Sequence, residues 1–162
     1  MKRALVTGGG KRLGRAMALR LAERGYDVAV HYASSDEAAL EVTEEVRRFG
    51  VRAVALPADL LDDSQTETLV QRSAQALGGP LSALVNNASI FEYDSLNSAT
   101  RDSWDRHFQS NLRAPFLLTQ AFAAQAPKAD RGMGEPIARA LVVNLIDQRV
   151  RKPTPEFSTY TI

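Results

Sequence analysis

Residues 3–14 read RALVTGGGKRLG, and the fold follows from this stretch. An apolar run, Ala4, Leu5 and Val6, is cut off by Thr7 and three consecutive glycines. A helical periodicity then takes in Leu13, Ala16, Met17, Leu19 and Leu21 and stops at Gly25. Strand, tight turn and helix are the predicted order. Gly8 and Gly14 flank the turn, with Gly9 and Gly10 between them. Glycine supplies positive-φ turns and lets backbone approach a pyrophosphate, whose charge a helix N-terminus stabilises. The turn is therefore a candidate nucleotide site, with an ordinary strand-to-helix turn as the alternative. It is not a Walker loop, because Arg12 rather than Ser or Thr follows Lys11. It also misses the G-x-G-x-x-G spacing, since Leu13 stands where the third glycine would fall.

Outward from this unit the pattern repeats. DVAVHY (residues 27–32) reads as a buried strand, and the next helix shows a capping-box pattern of Ser34 with Glu37 and an inward face of Ala39, Val42, Val46 and Phe49, ending at Gly50. VRAVALPADL, DDSQTETLVQRSAQALGG and LSALVNNAS continue as strand, helix, strand; residues 101–126 form one long helical stretch; PKADRGMGEP is a polar loop; and ARALVVNLI is predicted as a fifth buried strand. Alternation of this kind predicts a single α/β domain over residues 1–162, with a doubly wound parallel sheet. Ligands in such sheets lie at the carboxyl ends of the strands, near the topological switch point. TGGGKRLG, HYASS, NNAS and NLIDQ all fall at strand ends and should converge on one cleft.

Composition removes several classes of function. Twenty Lys and Arg against 19 Asp and Glu give a net charge of +1, which offers no field for a nucleic acid or an anionic membrane. There is no cysteine, and His31 and His107 alone do not make a zinc site. No segment approaches the apolar length of a membrane span, and no export signal is read at the N-terminus. A cytoplasmic location fits. A hydrolase is poorly supported, since no G-x-S-x-G elbow is present.

The choice of dinucleotide is argued from the end of the second strand. NAD-selective folds place a carboxylate there for the ribose hydroxyls, whereas the extra phosphate of NADP requires cations or donors. The strand ends in His31, Tyr32, Ala33, Ser34 and Ser35; Asp27 lies at the opposite end, and Asp36 falls in the first helical turn. With Lys11 and Arg12 in the neighbouring turn, NADPH is expected in preference to NADH. The alternative for either cation alone is a solvated surface charge.

Thr7-Gly8 through Gly14, NNAS at residues 86–89, Asn111 in the long helix and Tyr160 together resemble the short-chain dehydrogenase/reductase family over the whole chain. Arg12 in place of the usual middle glycine, and Asp147 where the family serine stands 13 residues before the tyrosine, look like the pteridine reductase branch. The resemblance implies that Thr7, Gly8, Lys11, Arg12, Leu13, Gly14, His31, Ser34, Ser35, Asp59, Leu60, Asn87 and Ala88 serve the cofactor. It implies Tyr160 as the acid, Asp147 as the orienting group and Asn111 as the residue of a proton relay. It also makes Ser89 a lining residue of the substrate pocket and Phe91 a face on which a pterin stacks. Phe91 reads equally as a packed loop aromatic, and Asn86 and Asn87 as turn residues.

The family lysine, four residues after the tyrosine, lowers the tyrosine's pKa; here it would be residue 164, past Ile162. The chain is therefore expected to be the N-terminal portion of a longer reductase or a truncated product, and at this length to bind cofactor weakly and catalyse poorly. Relatives oligomerise through the long helix, so a homodimer or tetramer is expected of the complete protein. The alternative function is a non-catalytic NADP(H) sensor or interaction protein.

Overall fold

A computed structural model describes residues 2–162. Five strands, Lys2–Val6 (β1), Tyr26–Tyr32 (β2), Ala53–Pro57 (β3), Ala83–Asn86 (β4) and Leu141–Asn144 (β5), form one wholly parallel sheet in the order β3-β2-β1-β4-β5. The chain builds outward from β1 to β3, then crosses back to set β4 on the other side of β1. The crevice between the carboxyl ends of β1 and β4 is thus the switch point.

Strand alternation divides the core in two. Leu5, Ala29 and Leu84 face Leu69, Leu77, Leu118 and Phe122, which come from helices Asp63–Ala76 (α3) and Ala114–Gln125 (α5) and the turn after α3. Val6, Val28, Val30 and Val85 face Ala18, Ala22, Val42 and Val46 of helices Arg12–Glu23 (α1) and Asp36–Arg47 (α2). Each fully buried leucine or valine contributes roughly 1.5–3 kcal/mol relative to exposure, so both faces of the sheet are held by substantial apolar burial.

Four local expectations change. In α1 the buried stripe is Gly14, Ala18 and Ala22, while Leu13 is 66% exposed. Small residues at i, i+4 and i+8 let the helix lie close to the sheet and the turn, and larger side chains at those positions would hold it off. The Ser34–Glu37 capping box does not form: Ser35 precedes α2 without a side-chain cap, and the Asp36 carboxylate accepts from the Glu37 amide. Phe49 lies beyond the end of α2 and is half exposed. β5 is short and only partly covered rather than a buried strand, because it pairs with β4 alone and forms the sheet edge.

The long helical stretch runs as Arg101–Phe108 (α4), a π-helical turn at Gln109–Arg113, and α5. α4 opens with a reciprocal capping box between Thr100 and Ser103. Pro115 has no N–H to return to the carbonyl of Asn111, which favours a widened turn at that point.

Candidate active site

Thr7 ties the glycine turn to the end of β4. Its buried hydroxyl accepts from the amides of Asn87 and Ala88, both at 2.9 Å, and donates to the Val85 carbonyl at 3.3 Å. The Asn87 amide donates to the carbonyls of Thr7 (2.8 Å) and Gly8 (3.2 Å). Gly8 adopts φ +60°, as the turn requires. At Gly14 an added Cβ would stand 2.1 Å from the Gly8 carbonyl oxygen and 2.7 Å from Asn87 Nδ2, so glycine is what allows α1 to dock here. Asn87 therefore has a defined structural role beyond satisfying its own turn.

His31 lies beneath this turn rather than on the cleft surface, being 1% exposed. Its Nδ1 accepts from the Gly8 amide at 3.1 Å, and Nε2 donates to the Ala58 carbonyl at 3.0 Å. That pattern requires the neutral ring, and burial lowers the imidazole pKa from its ordinary value. The expectation that His31 touches the cofactor is thus corrected to support of the loop that would.

α1 has no acidic residue in its first turn and no side-chain cap, so its N-terminal amides and dipole present positive potential to the cleft. Lys11, Arg12 and Leu13 are exposed beside it. Arg12 holds φ +49° in the left-handed region, which explains why glycine suits that position and which costs an L-residue about 1 kcal/mol. Ser34 is exposed and Ser35 half-buried after β2, and Asp27 is paired with Arg52 at the far end of the strand. Asp59 is exposed, its Oδ1 accepting from the Leu61 amide at 2.9 Å, and Leu60 is buried in the core against α3. A loop that a Cβ would jam, an open helix N-terminus and exposed cations fit a phosphorylated dinucleotide.

Beyond the turn lies a cavity of about 570 Å³. Asn86, Ala88, Ser89, Asn111, Asp147 and Tyr160 all line it, so residues from four separated segments meet as expected. Tyr160 sits in the short helix Ser158–Thr161 (α6) and lines the cavity together with Ser89 and Asp147. Burial and the negative charge of Asp147 raise its phenol pKa, while the Ser89 hydrogen bond and Arg149 oppose the rise. Asp147 also receives the Arg149 amide at 2.8 Å. Asn111 uses both ends of its amide on Ile90, accepting from N–H and donating to C=O at 2.9 Å each; here it clamps the loop after β4. Phe91 does not line the cavity. Its ring stacks on Phe157 at 4.1 Å and meets Tyr160 edge-on at 4.8 Å.

Several residues were not anticipated. Arg149 lines the cavity and lies over the rings of Phe91 and Phe157 at 5.0 and 5.1 Å. Its proximity to Asp147 in sequence was visible, but the aromatic stack was not. Asp94, His107 and Thr159 are buried polar residues around α6, brought together from positions too far apart for spacing to reveal. Asn86 joins β4 to β5 through Asn144, Nδ2 to Oδ1 at 2.7 Å. Among the described residues no cluster of His, Cys, Asp and Glu is arranged to hold a metal, and no helix is long and apolar enough to cross a membrane.

Comparison with known proteins agrees with this geometry. A "Short-chain type dehydrogenase/reductase" of Picea abies is 32% identical over 98% of this chain and 58% of its own length. The 3-oxoacyl-[acyl-carrier-protein] reductase FabG of Staphylococcus aureus is 38% identical over 76% of this chain and 50% of its own length. The crystal structure of FolM alternative dihydrofolate reductase 1 from Brucella canis, complexed with NADP, superposes with a TM-score of 0.87 at 36% identity, covering 99% of this chain and 61% of that one. The chain thus spans about half to three-fifths of the length of these relatives. The profile of short chain dehydrogenases matches residues 2–161, and the chain belongs to that family.

Proposed function

We propose that this protein is an NADPH-dependent oxidoreductase that delivers a hydride to a carbonyl or to a pterin C=N bond. The observation that carries the proposal is the placement of Tyr160, Asp147 and Ser89 on one cavity beside the Thr7–Gly14 turn. The NADP complex of the FolM relative supports the choice of cofactor. The α1 N-terminus would hold the pyrophosphate, and Lys11, Arg12 and Ser34 the additional phosphate, which favours NADPH over NADH. When bound, the nicotinamide supplies the hydride.

The chain's own task is then to orient the substrate and supply a proton. Burial and Asp147 raise the Tyr160 phenol pKa from its ordinary value, which weakens it as an acid. Donation to a substrate oxygen or nitrogen as it gains negative charge requires a cation to bring that pKa down, the role the family resemblance gives to the lysine four residues on. Ser89 and Asp147, which share the cavity with Tyr160, orient the acceptor. Asn111, by holding Ile90, keeps Ser89 in place. The exposed Leu112 and Phe116 of the long helix supply an apolar surface for self-association into a homo-oligomer.

The test is an NADPH titration followed by single-turnover consumption of NADPH with pterin and carbonyl substrates. The expected result is NADPH affinity retained in Tyr160→Phe, with the slow consumption expected of a chain of this length reduced by roughly a further hundredfold. Binding without consumption by the unsubstituted protein would favour the NADP(H)-binding alternative, and absence of binding would overturn both.

A further inference from the structure

The residues assigned to substrate chemistry lie on two segments, the loop after β4 with Ser89 and Phe91, and the stretch after β5 with Asp147 and Tyr160. They are clasped together away from the cavity. Asp94, 3% exposed, accepts from the Thr159 amide (3.1 Å) and the Thr159 hydroxyl through its carboxylate, and from the Phe157 amide (2.7 Å) through its carbonyl. His107, 1% exposed, adds α4 to the clasp. Its Nε2 accepts from the Glu92 amide at 3.1 Å, which leaves the proton on Nδ1, facing Thr159 Oγ1 at 2.7 Å and the Ser103 carbonyl at 2.9 Å. The hydrogen bonds run in one direction, His107 to Thr159 to Asp94, with no clash of donors. The Tyr160 ring is flanked edge-on by His107 at 5.9 Å and by Phe91 at 4.8 Å.

The backbone indicates that this docking is imposed by the clasp. Phe157 holds φ +58°, a conformation that an aromatic residue keeps only where its surroundings enforce it.

We propose that Asp94, with Thr159 and His107 as its partners, is a positioning residue that locks the Tyr160 segment to the substrate loop and so sets where the phenol stands relative to Ser89 and Asp147. The proposal rests on the reading of Tyr160 as proton donor for its consequence, but the docking itself is measurable without turnover.

Amide hydrogen exchange is measured on the unsubstituted protein and on Asp94→Ala, Thr159→Val and Thr159→Ser, together with an ultraviolet phenol titration in which Tyr160→Phe identifies the Tyr160 signal. The expected result is exchange about tenfold faster or more over residues 157–160 in the Ala and Val variants, with β1 and β4 unchanged. The Tyr160 titration should move from its raised position toward the ordinary range, and Thr159→Ser, which keeps the hydroxyl, should restore both signals. Unchanged exchange over 157–160, acceleration spread equally through the sheet, or a Tyr160 titration indifferent to the Val variant would overturn the proposal. Should Tyr160→Phe leave turnover intact while the docking signals behave as expected, the proton-donor reading fails and the clasp stands.

Discussion

Gly14→Ala separates the close-approach account of the glycine turn from ordinary helix propensity, because the two predict opposite signs. Gly14 lies within α1, where Ala is favoured over Gly by about 1 kcal/mol. In this fold, however, the new methyl would stand 2.1 Å from the Gly8 carbonyl oxygen, about 1.3 Å short of ordinary contact, and 2.7 Å from Asn87 Nδ2. The obstructing atoms are backbone and an amide engaged in two hydrogen bonds, so no flexible side-chain end can yield. Overpacking typically costs about 1–3 kcal/mol, and each Asn87 hydrogen bond that breaks costs about 1 kcal/mol more. With the propensity gain subtracted, a net loss of about 1–4 kcal/mol is expected in equilibrium urea unfolding, accompanied by weaker NADPH binding. Gly25→Ala is the control: φ there is +78° with open space around it, so only backbone strain of about 1 kcal/mol applies. A Gly14→Ala protein as stable as the original, or more stable, would refute the packing argument.

Three other substitutions test neighbouring parts of the account. Thr7→Val keeps the shape but removes the acceptor of two amides; a buried donor left unpaired costs about 1–3 kcal/mol, so denaturant unfolding should show a loss of roughly 2–4 kcal/mol. Ser34→Asp should invert the NADPH-over-NADH preference by placing a carboxylate at the end of β2, and selectivity unchanged in paired titrations would count against the assignment of that strand end. Because the His31 pKa is lowered in the fold from its ordinary 6.5, the unfolded chain binds the extra proton first. Stability from this group is complete above about pH 6.5 and declines as pH falls toward the folded value. Unfolding free energies measured across that range should show the slope, and His31→Gln should flatten it.

The strand-turn-helix order was legible because hydrophobic period and glycine placement agree at every level, and the switch-point cleft followed from it. Details failed where tertiary approach overrode local pattern. Leu13 belonged to the helical periodicity, yet α1 buries Gly14, Ala18 and Ala22 because contact with the turn demands small residues. β5 was expected as a buried strand left with one edge unpaired; it pairs with β4 alone as expected, while its residues are only partly covered. The convergence of Ser89, Asn111, Asp147 and Tyr160 was readable through motif order. The Asp94–Thr159–His107 clasp was not, since Asp94 and Thr159 are 65 residues apart and neither belongs to a recognisable pattern. Phe91 read equally as a face for a flat ligand and as a packed loop aromatic; in the fold its ring stacks on Phe157, a contact that neither motif nor spacing could show.

The central claim is that the Thr7–Gly14 turn and the end of β2 form a site for NADPH. The most direct measurement is a calorimetric titration of the purified chain with NADPH and, separately, NADH, repeated with Arg12→Gly. Arg12→Gly removes the guanidinium while suiting the left-handed φ of +49°, so a loss of affinity cannot be ascribed to backbone strain. The account predicts saturable one-to-one binding of NADPH, weaker binding of NADH, and a fall of about tenfold for NADPH alone in Arg12→Gly, as for the loss of one charge-assisted phosphate contact. Equal affinity for the two dinucleotides, or no binding of either, would contradict it.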